Sequence, residues 1–343
     1  MPYDRAQEPA SEDVGSPPTL VDRFGRWVNY LRLAITAKCN LGCRYCRPAA
    51  WSSASDSDSL TDEELVRLVR LFCRLGVKKV RITGGEPLVR PAVGELLAEL
   101  RRVPGLQELH LTTNGVLLER FVPTLSALPV DGVNVSLDSL RPDRYAHIVG
   151  ADCFGQVWTG IESALEAGLH LKLNVVVQAG VNDDEIGHFC ELTRWSPLSV
   201  RFIELMPSGT DSHLGAWNVT ATEIHRRIVR SYGTLDRLPP RPDTTAMLFR
   251  IPGYQGTIGI IPAYSRTFCD RCNRLRLTPD GRLKTCLYQA GGLDLRALLR
   301  SGVDDEAVAN QVRRAVLAKP KDGRAAEETS PKDPREPMIL VGG

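Results

Sequence analysis

The sequence lacks a long apolar run, a strong net charge and any cluster of histidines. Because no stretch is apolar enough to cross a bilayer, we expect neither a signal peptide nor a membrane anchor, and we predict a soluble, cytoplasmic protein. Lys and Arg number 43 and Asp and Glu 41, so no broad basic field favours nucleic acid. The 6 scattered histidines offer no hydrolytic constellation. Neither a GxGxxG nor a Walker pattern is present, so any phosphate must be held by cationic side chains.

Cysteine, in contrast, is plentiful and unevenly placed. There are 9 cysteines, and most of them fall into two tight groups. An odd count and close clustering in a cytoplasmic chain favour metal binding over disulfides. Cys73, Cys153 and Cys190 stand outside the groups without ligand spacing, and we predict them to be core thiols.

Short β-branched runs alternate with helical patterns between residues 31 and 205. A chain of 343 residues allows two domains or a single α/β barrel with an extension. The alternation predicts a parallel sheet, either an incomplete barrel or a doubly wound sheet. The stretch "TDEELVRLVRLFCRLG" (61–76) is typical of an amphipathic helix that begins at a capping Thr. Residues 1–18 and about 320–337 have the composition of disordered segments.

Several predicted strands carry cations at positions that alternate with apolar residues. Strands covered on both faces are normally apolar throughout, yet period-2 alternation places Lys79 and Arg81 on one face of "KKVRIT". Cations within predicted strands are also found at Arg32, Lys172 and Arg201. Because unpaired buried cations are unfavourable, we expect an anion inside the fold. The alternatives are cations that reach water at strand ends or that pair with an interior acid such as Glu204.

The first cysteine group, "CNLGCRYC", directly follows the first predicted strand. Its Cys39, Cys43 and Cys46 form a C-x3-C-x2-C array. A compact loop with this spacing can direct three thiolates at one point, which suits an iron–sulfur cube with one open iron. The alternative is a zinc ion that borrows a distant fourth ligand, the nearest histidine being His110.

The second group, "FCDRCNRLRLTPDGRLKTC", contains Cys269, Cys272 and Cys286. A lone triplet favours a second cluster with an open iron over a zinc ion completed from a distance. Arg274 and Arg276 lie two apart just beyond it, hence on one strand face. Paired guanidinium groups beside an open iron suit phosphate oxygens, and the alternative is two solvated arginines on an edge strand.

The first array, with Tyr45 before its third cysteine, resembles the radical S-adenosylmethionine (SAM) superfamily. The resemblance implies that the open iron chelates SAM and that one electron cleaves SAM to methionine and a 5′-deoxyadenosyl radical. The segment "GGEP" (84–87) is similar to the superfamily's segment at the methionine amino group. Exposed backbone carbonyls and the Glu86 carboxylate would suit that ammonium.

The two cysteine groups and "NRLRLT" together closely resemble the motifs of the GTP 3′,8-cyclase family, whose members catalyse the first step of molybdenum cofactor biosynthesis. The resemblance runs from about residue 20 to the end. It implies an incomplete (βα)6 TIM-type barrel with a C-terminal extension that carries a second cluster. The implied boundaries are a barrel over 19–235, a cluster domain over 236–318 and a flexible tail over 319–343. The implied lyase reaction converts GTP to (8S)-3′,8-cyclo-7,8-dihydroguanosine 5′-triphosphate by removal of H3′ and formation of the C3′–C8 bond.

The resemblance also implies roles for particular residues and for partners. GTP would be bound by Arg32, Lys79, Arg81, Thr112, Lys172, Arg274 and Arg276. SAM would contact Tyr45, Gly85, Ser136 and Met206, and two [4Fe–4S] clusters would be held by the two cysteine triplets. The catalytic set would be Arg201, Gly342 and Gly343. The implied partners are an electron donor of the flavodoxin or ferredoxin type, a cyclic pyranopterin monophosphate synthase that receives the product, and a second copy in a homodimer.

The C-terminal "PMILVGG" is similar to the family's Gly-Gly tail, which reaches into the active site. Two residues without side chains can thread a narrow channel, and the alternative is a frayed stub without function. The chain departs from the family pattern at Ala37 and Lys38 and within 244–249 and 262–266.

Three other hypotheses stay open, and the departures leave room for the first of them. One is a diverged radical SAM paralogue that acts on another nucleotide, and the second is a radical SAM peptide-modifying enzyme with an auxiliary cluster. The inward cations oppose the second, since a peptide would not require them. The third is an electron-transfer or structural cluster protein, which "GGEP" and "VSLDS" oppose.

Overall fold

The computed structural model describes residues 20–46, 59–206, 218–239, 244–329 and 338–341. The strands are β1 (Tyr30–Ala34), β2 (Lys79–Thr83), β3 (Glu108–Thr113), β4 (Gly132–Ser136), β5 (Leu171–Val177), β6 (Ser199–Glu204), β7 (Asp236–Arg237), β8 (Met247–Arg250), β9 (Thr257–Ile261), β10 (Arg274–Leu277), β11 (Arg282–Lys284) and β12 (Leu293–Asp294). The helices are α1 (Asp62–Arg74), α2 (Val93–Arg101), α3 (Leu118–Ala127), α4 (Pro142–Val149), α5 (Phe154–Glu166), α6 (Ile186–Glu191), α7 (Ala221–Tyr232), α8 (Leu295–Arg300), α9 (Asp305–Leu317), α10 (Gly323–Thr329) and α11 (Met338–Val341).

Strands β1 to β6 are parallel and lie side by side in chain order. A doubly wound sheet would reverse its order at a switch point, so this arrangement confirms the partial barrel and excludes the alternative. None of the described helices has the length and apolarity needed to cross a membrane.

The extension adds a parallel strand to each side of this six-stranded unit. Strand β9 pairs with β6, and β10 pairs with β1. Antiparallel β11 then covers the outer side of β10. Arg274 and Arg276 therefore lie on an interior strand, and the edge-strand alternative is wrong. Because one sheet contains strands from both predicted parts, the domain boundaries stay predictions. Helix α10 (Gly323–Thr329) lies within the segment of about 320–337, so the prediction of disorder is wrong for these residues.

Helix α1 forms where the sequence predicts it, for local reasons. Thr61 caps its first turn by accepting from Glu64 N, and the Glu64 carboxylate accepts from Thr61 N in return. Its apolar side packs on the outer face of the sheet together with residues such as Leu33 and Val80, both fully buried. Cys73, Cys153 and Cys190 are buried in this core, as predicted.

Candidate active site

The inner face of the barrel encloses a cavity of about 680 Å³. Strand alternation turns one set of side chains toward it and the other toward the helices. Every predicted site residue within the described part of the chain lines this cavity: Arg32, Cys39, Cys43, Tyr45, Cys46, Lys79, Arg81, Gly85, Thr112, Ser136, Lys172, Arg201, Met206, Cys269, Cys272, Arg274, Arg276 and Cys286. Gly342 and Gly343 lie outside the described residues.

The two cysteine groups lie at opposite ends of the cavity because of strand direction. Strands β1 and β10 are parallel neighbours, with Tyr30 opposite Arg274. The first group follows the end of β1, whereas Cys272 precedes the start of β10. About five residues of strand at ~3.3 Å each separate these two edges, so about 16 Å of barrel lies between the groups.

The first group is held by donors to sulfur and to the loop backbone. Cys39 Sγ accepts from Leu41 N at 3.4 Å and from Asn114 Nδ2 at 3.8 Å, and Cys46 N donates to Cys43 O at 3.0 Å. Burial raises the pKa of Cys43 well above its usual value, and the neighbouring Asp138 and cysteines add to this effect. A bound cation would remove that penalty, so this donor set fits a metal group ligated by thiolates.

Tyr45 is fixed by a buried carboxylate that the sequence interpretation did not single out. Tyr45 Oη donates to Asp138 Oδ2 at 2.7 Å, and Asp138 Oδ1 accepts from Val176 N at 2.8 Å. Burial raises the pKa of Asp138 to about 6. Asp138 belongs to the motif "VSLDS", so the sequence pointed to this segment. The contact between Asp138 and Tyr45, however, can be seen only in the folded structure.

The "GGEP" turn lies directly against the loop that leads to the first cysteines. Gly85 N donates to Thr36 O at 2.8 Å, and a Cβ at Gly85 would stand 2.1 Å from Lys38 O. Only glycine permits this approach, which leaves the backbone of residue 85 on the cavity.

The Glu86 carboxylate does not serve a ligand, which corrects the sequence interpretation. It is fully buried and accepts from Leu88 N at 3.0 Å, from Thr113 Oγ1 at 2.8 Å and from Asn114 N at 2.6 Å. Burial raises its pKa to about 7. Glu86 therefore fastens the turn to the end of β3, and the backbone of the turn remains for binding.

The cations lie mainly on the part of the wall built by β1, β2 and β10. Arg81 Nε donates to Tyr30 Oη at 2.7 Å, and Lys79 Nζ donates to Glu108 Oε2 at 2.7 Å. Burial alone would raise the pKa of Tyr30, but Arg81 and Arg32 outweigh it and lower the value to about 7. A phenol this close to ionisation indicates a strongly positive wall.

The alternative that an inward cation pairs with an interior acid is correct for Lys79, but the acid is not Glu204. The partner of Lys79 is Glu108, which also contacts His110 Nε2 at 2.7 Å. Glu204 instead accepts from Ala221 N at 2.6 Å and from Ser265. Neither Tyr30 nor Glu108 was predicted as part of the site, because strand register brings them there.

The second cysteine group lies among cations. Burial would raise the pKa of Cys272, but Lys319 and Arg274 lower it to about 6. Next to this group, Arg276 Nη1 donates to Val341 O at 2.9 Å. The end of the described chain is thereby drawn to the cavity, which Met338 and Ile339 help to line.

Within the described ranges, no three His, Cys, Asp or Glu side chains converge as a set for a single metal ion. The described residues that line the cavity include both cysteine triplets but no histidine, so neither triplet has beside it the fourth ligand that a structural zinc ion normally takes. Three thiolates at one end of a cavity suit an iron–sulfur cluster with one open iron.

Comparisons with known proteins match two family profiles to consecutive parts of the chain. The radical SAM superfamily profile matches residues 33–193, and the profile described as Molybdenum Cofactor Synthesis C matches residues 198–324. A GTP 3′,8-cyclase of Moorella thermoacetica is 45% identical over 328 residues, which are 94% of this chain and 99% of that relative. The chain belongs to the GTP 3′,8-cyclase family.

Eukaryotic members of the GTP 3′,8-cyclase family are nearly as similar. The mitochondrial GTP 3′,8-cyclase of Arabidopsis thaliana is 39% identical over 94% of this chain and 83% of that protein. Molybdenum cofactor biosynthesis protein 1 of Homo sapiens is 40% identical, but the match spans only 51% of that longer protein.

Among solved structures, Streptococcus suis SuiB has a similar fold. Its TM-score is 0.60 with 15% identity, and the alignment covers 90% of this chain and 76% of SuiB. SuiB bound to S-adenosylmethionine gives a TM-score of 0.59 with 16% identity, over 86% of this chain and 72% of SuiB. At this identity the likeness supports the radical SAM fold of the family, not a shared substrate.

Proposed function

We propose that this chain is a radical SAM GTP 3′,8-cyclase, which converts GTP to (8S)-3′,8-cyclo-7,8-dihydroguanosine 5′-triphosphate in molybdenum cofactor biosynthesis. One observation carries the proposal. A single cavity has a radical SAM cysteine array at one end and, at the other, a second cysteine triplet beside Arg274 and Arg276. A substrate with an anionic part and a reactive part would use both ends at once, and GTP has both parts.

Two [4Fe–4S] clusters and SAM are the cofactors of the proposed reaction. Cys39, Cys43 and Cys46 would hold the first cluster, and Cys269, Cys272 and Cys286 would hold the second. When bound, the first cluster and SAM would supply the 5′-deoxyadenosyl radical chemistry needed to remove H3′ of GTP. The protein's contribution would be to hold SAM and GTP in one cavity at the correct distance.

The cationic wall of the cavity would bind GTP. Arg32, Lys79, Arg81, Thr112, Lys172, Arg274 and Arg276 would bind GTP, and all of them line the cavity. Guanidinium groups bind phosphate oxygens in pairs, and their attraction is strengthened where water is excluded. Hydrogen bonds to Tyr30 Oη and Leu111 O already orient Arg81. GTP binding would therefore cost little additional side-chain entropy at this residue.

SAM would bind at the opposite end of the cavity. Tyr45, Gly85, Ser136 and Met206 would contact SAM. The bond from Tyr45 to Asp138 and the fixed backbone of Gly85 pre-organise this part. Met206 Sδ lies 3.1 Å from Tyr288 Oη, a contact that holds the thioether in place.

The C-terminal tail and Arg201 complete the proposed catalytic set. The contact between Arg276 and Val341 O supports delivery of Gly342 and Gly343 to the cavity, although the pair itself lies outside the described residues. Arg201 lines the cavity on β6. An electron donor of the flavodoxin or ferredoxin type, product transfer to a cyclic pyranopterin monophosphate synthase, homodimer formation and a cytoplasmic location belong to the same proposal.

The test is incubation of the reconstituted protein with SAM, dithionite and each nucleoside triphosphate in turn, followed by mass spectrometry. We expect cyclised GTP together with one 5′-deoxyadenosine for each product. A modified nucleotide other than GTP would establish the paralogue hypothesis instead. SAM cleavage without any nucleotide product would point to a peptide substrate, and no 5′-deoxyadenosine at all would leave only an electron-transfer or structural protein.

A further inference from the structure

Lys319, two residues beyond α9, places its ammonium between two segments that carry second-site cysteines. Its side chain is buried, with 2% of the residue exposed. Nζ donates to Arg274 O at 2.9 Å and also to Thr285 O. Arg274 is two residues beyond Cys272, and Thr285 immediately precedes Cys286. One ammonium therefore connects the backbones next to two of the three cysteines.

In the part of the chain that the structure describes, the charge of Lys319 is not paired with a carboxylate. A buried ammonium is strongly unfavourable unless negative charge lies nearby. Within the described residues, the partners of Lys319 Nζ are two backbone carbonyl oxygens and not the carboxylate of an Asp or Glu. Burial lowers its pKa, while Cys272 and Cys286 raise it. Among the described residues, the groups that favour the charged form of this lysine are thus the sulfur atoms of Cys272 and Cys286.

A second cation at the same site has its charge neutralised. Arg26 donates to Cys269 O, Pro320 O and Lys321 O, each at 2.7 Å, which ties the third cysteine to the segment after Lys319. However, Arg26 also forms a salt bridge with the buried Asp22. Arg26 therefore fastens the loop without adding net charge, whereas Lys319 adds a full positive charge.

We propose that Lys319 is a positioning residue that supplies the countercharge of the C-terminal cluster and favours its reduced state. The inference rests on the proposed function, in which Cys269, Cys272 and Cys286 ligate that cluster. Uptake of one electron, from dithionite in the test or from the physiological donor, makes the cluster more negative. A fixed buried cation stabilises the more negative state, so it raises the reduction potential.

The test is a potentiometric titration of the full-length protein with both clusters, followed by electron paramagnetic resonance. In Lys319→Met we expect the ratio of reduced to oxidised C-terminal cluster to fall about tenfold at the wild-type midpoint, which corresponds to 59 mV for one electron. Lys319→Arg keeps the charge and should stay near wild type. Lys321→Met, which removes an exposed charge two residues away, is the matched control and should leave the potential unchanged.

Iron content separates a charge effect from simple misfolding. Lys319→Gln keeps a donor for the carbonyls but not the charge, so a loaded cluster with a lowered potential supports the proposal. A fully loaded Lys319→Met or Lys319→Gln protein with the wild-type potential overturns it. If both neutral variants lose about four irons while Lys319→Arg keeps them, the charge is needed for assembly, which supports the countercharge role. If Lys319→Arg also fails to load, the role is only structural and the proposal is wrong.

The proposed function fails in a different way. If the wild-type protein binds a single cluster, or Cys272→Ala keeps all its iron, the ligand assignment is wrong whatever Lys319 does.

Discussion

The two ends of the barrel offer cysteine triplets to the same kind of cluster in opposite electrostatic settings. At the first end, burial dominates and raises the pKa of Cys43, with a carboxylate, Asp138, close by. At the second end, cations outweigh burial, and the pKa of Cys272 falls to about 6. The first end is shaped by hydrogen bonds to sulfur, and the second by Lys319 and Arg274.

This difference agrees with the proposed function of each end. The first end would bind SAM, whose sulfonium and ammonium groups are positive, so a site without excess cations suits it. The second end would bind an anionic nucleotide, and its cations would serve the substrate and the cluster together. On this proposal, two similar clusters are tuned by the charges around them rather than by their ligands.

Removing one ligand at each end should give the largest effects and separate the roles of the ends. We expect Cys272→Ala to lose about four of about eight irons and to form no cyclised GTP, yet still to cleave SAM. Cys43→Ala should lose both activities, because the radical is generated at its end. Iron analysis and quantification of 5′-deoxyadenosine and of cyclised product test this pair. Normal cyclisation by Cys272→Ala would contradict a role for the second cluster.

Deletion of Gly342 and Gly343 tests whether the C-terminus of the chain takes part in the reaction at the cavity end that holds the second cysteine group. Both clusters and SAM binding should survive, while the rate of ring closure should fall about 10²-fold or more, as expected when reacting groups are misplaced by ~1 Å. A variant with both residues changed to Ala controls for length. If the deletion cyclises GTP at the wild-type rate, the tail is only a frayed stub.

Arg276→Met should weaken GTP binding without affecting SAM. Arg276 is 7% exposed and its guanidinium donates to Val341 O, so the substitution removes charged hydrogen bonds worth about 2–3 kcal/mol, or roughly 30- to 150-fold in GTP Kd. Arg282→Met, on the neighbouring strand, removes an exposed arginine paired with Asp280 and serves as control. Isothermal titration with GTP and with SAM measures both affinities. Equal losses for the two ligands would indicate a general packing defect.

Much of this comparison could be predicted from the sequence because it depends on local rules. Period-2 alternation placed Arg32, Lys79 and Arg81 inward, and the structure confirms that they line the cavity. Strand β2 (Lys79–Thr83) lies within the predicted strand "KKVRIT". Thr61 begins α1 as its capping sequence indicates.

The rest depends on register and on contacts between distant segments. The pairing of Lys79 with Glu108 follows from the alignment of β2 with β3, which no single strand reveals. The contact of Lys319 with Thr285 O joins segments 34 residues apart. A motif can also mislead locally, as when Glu86 bonds to the β3 end instead of facing a ligand.

Asp138→Asn should give the smallest effect and should confine it to the first end. The change weakens the acceptor for Tyr45 Oη, so we expect about 1 kcal/mol, or about fivefold, in SAM Kd, with GTP Kd unchanged. The effect should also depend on pH. The pKa of the Asp138 carboxyl is raised to about 6, so it is ionised at pH 7.5 and becomes protonated as the pH falls through 6. Wild-type SAM affinity should then drop toward that of Asp138→Asn, whose own affinity changes only with the titration of SAM. Parallel pH curves for the two proteins would mean that the Asp138 carboxylate does not support SAM binding through Tyr45.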